Sequence, residues 1–443
     1  MPLAFAGGFP GLGVLRGGWS NRPFSLKPRD SRSLCTRTAL GARMSGSLPL
    51  RGGAPLEGDD NGDSDMESSS VSINRKDMLE RVGKAALAMS PTGKTEPRKV
   101  TIVGSGNWAC AIAGIVAANC ARQAHLDSTV RMWVFDEVVD GKKLTDWMNL
   151  EHENVKYLPG VKLPENIVAI ADVGEACQDA DVLIFCLPHQ FLDRVCQGVK
   201  GRASPDAIAV SLIKAVEFDE SGVVLISEMI KKMLGGMDVS VLMGANLAGE
   251  VAAGSFCETT VGYRVRRNGL LVRDIFDDPL FRVGMVNDVD GVEVCGALKN
   301  VVALGAGFCD GMGLGQNSKA AMVRIGLMEM KKFIQERFPG VKDETFFESC
   351  GVADLLVTCY GGRNRRCAEE FVRSGGTKSW EDIEAELLNG QKLQGTLTAK
   401  EVYKILEKEK ALDEFPLFAS IHQVAFAGAA PDLIIAKLSR PRE

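Results

Sequence analysis

Histidine is scarce in this chain: four in 443 residues, scattered without the spacing a metal site needs. The twelve cysteines contain no C-x-x-C pair, and Cys110, Cys186 and Cys295 fall inside apolar runs, so reduced, buried thiols are expected rather than a disulfide scaffold or a structural metal. Charge of one sign is also lacking. Lysine and arginine number 52 against 57 acids, interspersed, for a net charge of -5. No basic stripe is left to neutralise a nucleic-acid backbone or to hold a membrane surface. Nor is there a run of about 18 apolar residues, so no membrane span is expected. What remains is 45% hydrophobic residues, enough for the cores of two domains in a chain of this length.

Acids are the missing class in residues 1–56. Up to Pro55 there are eight basic residues (Arg16, Arg22, Lys27, Arg29, Arg32, Arg37, Arg43, Arg51) and one acid, Asp30, among many Gly and Ser. Such a composition predicts a transit-like leader to an organelle matrix or stroma, in a plastid or mitochondrion; the alternative is a tail on a cytoplasmic protein. No charged segment precedes the apolar stretch Leu3 to Leu15, which disfavours a secretory signal. Residues 57–97 are expected to be a linker. Glu57 to Ser72 is too acidic and serine-rich to fold, and Lys76 to Ser90 has helical character through Leu79, Val82 and Ala86.

The chain then turns into a dinucleotide-binding fingerprint. A β-branched run, Lys99 to Val103, ends in Gly104-Ser105-Gly106-Asn107-Trp108-Ala109 and opens into an alanine-rich helix extending to about Ala121. Gly104 permits the tight turn, Gly106 lets the backbone approach a pyrophosphate, and Ala109 keeps helix and sheet close. The phosphates then sit on free N–H groups at the positive end of the helix. Further strands are expected at Val130 to Phe135, Ile167 to Ile170, Val182 to Leu187, Ala207 to Ile213, Ser240 to Met243, Thr259 to Arg264 and Phe281 to Val286. The second stops at Asp136-Glu137, where an acid accepts from a ribose 2′-hydroxyl and repels a 2′-phosphate, favouring NAD over NADP. The long spacing from Gly104 to that acid is attributed to an insertion around His125 to Ser128.

Ligands of an open α/β sheet bind outside the carboxyl ends of its strands. Those ends carry Gly104, Asp136, Pro188-His189-Gln190-Phe191, Lys214 and Gly244-Ala245-Asn246. Lys214 is either a cation aimed at a phosphate or carbonyl oxygen, or a solvated strand-end lysine. Phe191 either flanks the nucleotide or belongs to the core.

After Val286 the apolar period becomes helical. Helices are expected at Val292 to Phe308, Ser318 to Arg337, near Ala368 to Arg373, and at Trp380 to Leu388, Ala399 to Glu409 and Pro416 to Ala427. Lys299 and Asn300 interrupt the first. Lys299 shares a face with Ala303 and Ala306, so its ammonium either snorkels to water or is held near a ligand, where desolvation lowers its pKa. The stretch Ala353 to Asn364 places Gly361-Gly362 beside Arg363, glycine N–H groups next to a forked guanidinium, a combination suited to a phosphate. Gln391 to Gly395 is expected to be a polar loop that either closes over a cofactor or only connects two helices.

Taken together these motifs resemble a known family. Gly104-Ser-Gly-Asn-Trp, Val155-Lys-Tyr-Leu-Pro-Gly, Pro188-His-Gln-Phe, Ser211-Leu-Ile-Lys, Leu242-Met-Gly-Ala-Asn, Ala297-Leu-Lys-Asn, Glu348-Ser-Cys-Gly-Val-Ala-Asp, Thr358-Cys-Tyr-Gly-Gly-Arg-Asn and Leu388-Asn-Gly-Gln-Lys-Leu-Gln-Gly, in this order, are similar to the eukaryotic-type NAD-dependent glycerol-3-phosphate dehydrogenases. The resemblance implies an α/β architecture: an amino-terminal Rossmann-type doubly wound sheet over residues 98–289, then an all-helical substrate and catalytic domain of the 6-phosphogluconate dehydrogenase type over 290–443. It implies reversible hydride transfer between NADH and dihydroxyacetone phosphate, giving sn-glycerol 3-phosphate. In that scheme Lys299 is the general acid and base, assisted by Lys214 and Asp354. Lys214, Asn300, Thr358, Arg363 and Asn364 bind the substrate, the last two at its phosphate. Gly104, Ser105, Gly106, Asn107, Trp108, Ala109, Phe135, Phe191, Ala248, Arg363, Lys392 and Gln394 contact the NAD. It also implies a homodimer, with no metal and no nucleic-acid partner. The alternatives are a β-hydroxyacid-type dehydrogenase and an inactive NAD(H)-binding sensor.

Overall fold

The computed structural model describes residues 96–220, 222–388 and 390–439. The expected leader, the linker as far as Thr95 and the helix at Lys76 to Ser90 lie outside the described residues.

Eight strands form one sheet: β1 Arg98–Val103, β2 Leu126–Trp133, β3 Ile167–Ile170, β4 Val182–Phe185, β5 Ile208–Ser211, β6 Asp238–Met243, β7 Cys257–Gly262 and β8 Phe281–Val286. Their spatial order is β3-β2-β1-β4-β5-β6-β7-β8. The first six are parallel; β7 runs antiparallel to β6 and pairs in parallel with β8. Central strands such as Val-Leu-Ile-Phe in β4 are buried at every position, because helices cover both faces of a parallel sheet. The order reverses between β1 and β4, and the crevice outside their carboxyl ends is where a doubly wound sheet receives its ligand.

Helix α1 (Asn107–Arg122) follows β1 and buries Ala109, Ile112, Ala113 and Val116. Its small side chains permit the close approach anticipated from the fingerprint. Farther along, α2 (Ile226–Met233) covers the other face beside β5 and β6.

The helical part is built around α3 (Val289–Gly311), buried along nearly its whole length. By length and composition α3 is apolar enough to cross a membrane, the one such helix among the described residues, yet other protein elements enclose it. Packed around it are α4 (Gln316–Arg337), α5 (Asp354–Gly361) and α6 (Arg363–Arg373), which carries α7 (Trp380–Leu388) through Phe371 stacked on Trp380, together with α8 (Gln394–Lys408) and α9 (Pro416–Phe426). A Cβ at Gly307 would lie 2.2 Å from the Arg365 carbonyl oxygen, so glycine is what lets α3 and α6 touch backbone to backbone.

Neither α2 nor α9 has a side-chain cap of its own. Buried carboxylates from elsewhere supply it. Glu293 of α3 accepts from Ser227 N at 3.1 Å, and Glu329 of α4 accepts from Leu417 N at 2.8 Å and Phe418 N at 2.9 Å. Each meets the free N–H groups and positive end of a helix, and each thereby links separate parts of the fold.

Several element boundaries differ from the expected ones. Strand β2 starts at Leu126 and takes in most of the expected insertion: Arg98 pairs with Leu126 but Val100 with Val130, so two extra residues bulge from β2 between them. That strand ends at Trp133, leaving Phe135 and Asp136 beyond it. Helices α6 and α8 begin at Arg363 and Gln394, earlier than the apolar periodicity indicates, because their polar first turns carry no hydrophobic signal. Ala353 to Asn364 is largely helical. A π turn at Ser349–Ala353 runs into α5, and Gly362, extended at ψ 155°, separates α5 from α6.

Candidate active site

Two neighbouring regions at the carboxyl edge of the first six strands hold nearly all of the expected site residues. The first is a cleft of about 680 Å³ at the β1/β4 reversal, lined by Gly104, Ser105, Gly106, Phe135, Asp136 and Phe191 among others. Gly104 adopts φ +127°, and a Cβ there would lie 2.2 Å from the Cys186 carbonyl oxygen, so the turn off β1 demands glycine. Gly106 is different. Its backbone is extended, and a Cβ there would meet no protein atom within 4 Å. Neither conformation nor packing calls for glycine at that position, so the space serves something that approaches the backbone from the cleft.

A dinucleotide fits this cradle. Helix α1 starts at Asn107 with no side-chain cap and no acid in its first turn, leaving its N–H groups for an anion. Phe135 is 55% exposed and Phe191 52%, two large apolar rings held at the cleft rather than in the core, where they offer flat surfaces to a base or ring. Asp136 lies on the lining and pairs with Lys143 at 3.6 Å. Glu137 pairs with Lys156, beside Tyr157. Trp108 packs near Phe281, ring centroids 6.3 Å apart, and Ala109 is buried; both face the interior and bring only backbone to the helix start. Ala248 begins the helix Ala248–Ala252 and packs against the core that includes α1.

The second region is polar and buried. Lys299, in the mostly apolar middle of α3, is only 5% exposed: it does not snorkel. Its ammonium pairs with Oδ1 of Asp354, at the start of α5. The other carboxylate oxygen, Oδ2, accepts from Lys214 Nζ at 3.0 Å, and Lys214 also donates to Gly244 O at 2.7 Å. One buried carboxylate thus stands between two lysines. Burial, the largest influence, lowers the Lys299 pKa to about 8; Asp354 opposes this and Lys214 reinforces it. An amine so placed exchanges a proton near neutrality, which an ordinary lysine does not.

Around this centre, Thr358 Oγ1 donates to Asp354 O at 2.6 Å. Asn300, beside Lys299, accepts on Oδ1 from Asn364 Nδ2 at 2.9 Å, and Asn364 Oδ1 accepts from Gly395 N at 3.0 Å. Asn300 and Asn364 therefore tie α3 to the starts of α6 and α8. Arg363, exposed in the first turn of α6, donates to Gln391 Oε1 at 2.7 Å. The next arginine, Arg365, is held by Asp310 of α3 at 2.5 Å, which anchors the α6 start. Lys392 pairs with Glu384 at 2.9 Å, and Gln394 is the first residue of α8.

Several contributors carry no local sequence signal. Gln391 was expected only as part of a polar loop, and its bond to Arg363 has no local signature. Lys156 and Tyr157 line the cleft, although their motif carried no assigned role. Asn154, buried, donates to Ser105 O at 2.9 Å and accepts from Tyr157 N at 3.0 Å, bracing the glycine turn. It ends the polar run Glu151-His152-Glu153-Asn154, which carries no signal of that role.

A Rossmann cleft for a dinucleotide beside a buried lysine of lowered pKa on a helical domain defines a nicotinamide-dependent dehydrogenase. The comparisons agree. The family models for the NAD-dependent glycerol-3-phosphate dehydrogenase N-terminus and C-terminus match residues 99–268 and 288–436. The mouse glycerol-3-phosphate dehydrogenase 1-like protein is 55% identical over 333 residues, 75% of this chain and 94% of that protein. Human cytoplasmic glycerol-3-phosphate dehydrogenase [NAD(+)] is likewise 55% identical, over 332 residues, with 75% and 94% covered. The glycerol-3-phosphate dehydrogenase structure from Plasmodium falciparum superposes with a TM-score of 0.75 at 39% identity, covering 78% of this chain and 96% of that one. The chain belongs to the NAD-dependent glycerol-3-phosphate dehydrogenase family and is an NAD-dependent oxidoreductase.

Proposed function

We propose that the chain interconverts dihydroxyacetone phosphate and sn-glycerol 3-phosphate, with Lys299 as the proton donor in reduction and the acceptor in oxidation. The observation that carries this reading is the Lys299–Asp354–Lys214 group, buried at Lys299 and Asp354, next to Asn300, which bonds to Asn364 at the uncapped start of α6. Bound in the cleft, NADH supplies the hydride that a carbonyl carbon accepts. The Lys299 ammonium gives its proton to the oxygen that becomes an alkoxide, and Asp354 keeps that ammonium oriented. Lys214 places a second positive charge on the same developing oxygen. Arg363 and the first-turn N–H groups of α6 hold the phosphate, and this remote binding fixes the carbonyl beside Lys299. Asn300 and Thr358 orient the substrate hydroxyl.

NADH absorbance is followed with dihydroxyacetone phosphate as substrate, with NADPH and unphosphorylated dihydroxyacetone in parallel. Turnover with NADH and the phosphorylated ketone, and little with either control, is expected. Tight NADH binding without turnover on that ketone overturns the substrate assignment. The homodimer implied by the family resemblance and an organelle address in residues 1–56 belong to the same reading. Light scattering of the purified chain tests the first, and a fluorescent fusion to residues 1–56 tests the second. A monomer, or diffuse cytoplasmic fluorescence, removes the respective claim.

A further inference from the structure

Ser349 opens the π turn Ser349–Ala353 that delivers Asp354 to the site. It is buried, and its hydroxyl is engaged in both directions: Oγ accepts from Ala245 N at 3.2 Å and donates to Glu258 O at 2.6 Å. Ala245 is the neighbour of Gly244, whose carbonyl accepts from Lys214 Nζ at 2.7 Å and from Asn246 N at 2.8 Å. Lys214 also bonds to Asp354 Oδ2 at 3.0 Å, and Asp354 follows Ser349 by a single tight turn. The contacts close a circuit, from Ser349 through Ala245 and Gly244 to Lys214, on to Asp354 and back along the backbone to Ser349. Single-turn π segments are frequent at functional sites, where they re-aim the residue that follows.

We propose that Ser349 is a positioning residue for this reaction: its hydroxyl pins the segment bearing Asp354 to the Gly244–Ala245 turn, and so fixes where one carboxylate meets both Lys214 and Lys299. The proposal rests on the reading of Lys299 as general acid. The segment has a second, separate tie, Cys350 N to Thr260 Oγ1 at 3.2 Å, so removing the hydroxyl loosens the aim of Asp354 while the fold keeps its seat. The charged and titratable groups around Lys299 are Asp354 and Cys359 of α5, Lys214, and Cys295 one turn back on α3. Among them, Asp354 is the acid that pairs with Lys299 and favours its protonated form.

The test is the pH profile of ketone reduction in the full chain with NADH. In Ser349→Ala, kcat falls about tenfold, equivalent to ~1.4 kcal/mol in the barrier. The alkaline limb moves to lower pH by about half a unit or more, because Asp354 no longer fully supports the ammonium. The KM for NADH stays unchanged. Ser349→Thr, which keeps the hydroxyl, returns the limb toward its wild-type position. A limb that stays in place in Ser349→Ala overturns the proposal whatever the rate. If that variant does not fold, Ser349→Cys, close in size and a poor hydrogen-bonding partner, is read the same way. Lys299→Ala is measured alongside. Retained turnover there overturns the reading of Lys299 itself, whereas lost turnover there with an unmoved limb in Ser349→Ala removes only the role of Ser349.

Discussion

Lys214 donates to Oδ2 of Asp354 at 3.0 Å, across 140 residues of sequence, while Lys299 occupies the other oxygen of the same buried carboxylate. Two ammonium groups in one low-dielectric site repel each other, and Asp354 is what makes the arrangement tolerable.

Replacing that carboxylate gives the first prediction. With Lys299 in its proposed role, reduction uses the ammonium and its rate falls as pH rises through about 8, whereas oxidation uses the neutral amine and rises over the same range. Asp354→Asn removes the influence that raises the Lys299 pKa and leaves burial and Lys214, which lower it. The reduction limb moves to lower pH in the variant. Losing one member of a buried ion pair typically costs ~3–5 kcal/mol, so the melting temperature also falls. pH–rate profiles and thermal melts check both, and an unmoved limb contradicts the role given to Asp354.

The two fingerprint glycines are predicted to fail differently. Gly104→Ala forces a side chain to φ +127° and into the Cys186 carbonyl oxygen, so the variant loses thermal stability as well as cofactor binding. Gly106→Ala meets no protein atom and melts like the wild type, but its methyl fills the approach to the α1 N-terminus. NADH affinity there drops by tenfold or more, about 1.4 kcal/mol or above. Calorimetric titration beside a thermal melt separates the cases; wild-type NADH affinity in Gly106→Ala denies the cradle.

Arg363→Ala is expected to raise the KM for dihydroxyacetone phosphate much more than it lowers kcat, and to leave the weak turnover of unphosphorylated dihydroxyacetone unchanged. Arg363→Lys recovers little of the loss, because a point charge cannot reproduce the fork that now engages Gln391 at 2.7 Å. Equal losses with both ketones contradict a phosphate-binding role.

Glu329 carries a pH-dependent stability term. Burial pushes its carboxyl up from the ordinary 4.5 to about 7, against the two α9 N–H groups that lower it. The folded chain therefore binds this proton more tightly than the unfolded chain. Its stabilisation is fully present below about pH 4.5 and is lost as pH climbs through about 7. Glu329→Gln also faces an amide NH2 toward one of the α9 donors, which lowers stability throughout. The wild-type melting temperature, corrected for the variant's own pH trend, should fall between pH 5 and 7. Parallel trends in the two proteins contradict the assignment.

Much of the fold is legible in the residue order because its signals are local. The β-branched run before Gly104 marks β1, helical spacing marks α1 and α3, and the glycine turn marks the nucleotide cleft. Legibility fails where an element starts in polar residues. Arg363-Asn364 and Gln394-Gly395 open helices whose first turns face the site, and sites are built from the residues that break the apolar period.

By itself the sequence determined the two kinds of domain, the family and the residue types able to hold a dinucleotide and move a proton, since short-range periodicity, glycine placement and motif order encode them. Tertiary structure alone decided whether Lys299 is buried. Its helix alone favours a lysine that snorkels to water over one held near a ligand. Only the arrival of Asp354, Lys214 and the Ser349 bridge from distant segments enclosed it, and a pKa depends on the charges and solvent around a group rather than on its neighbours in the chain.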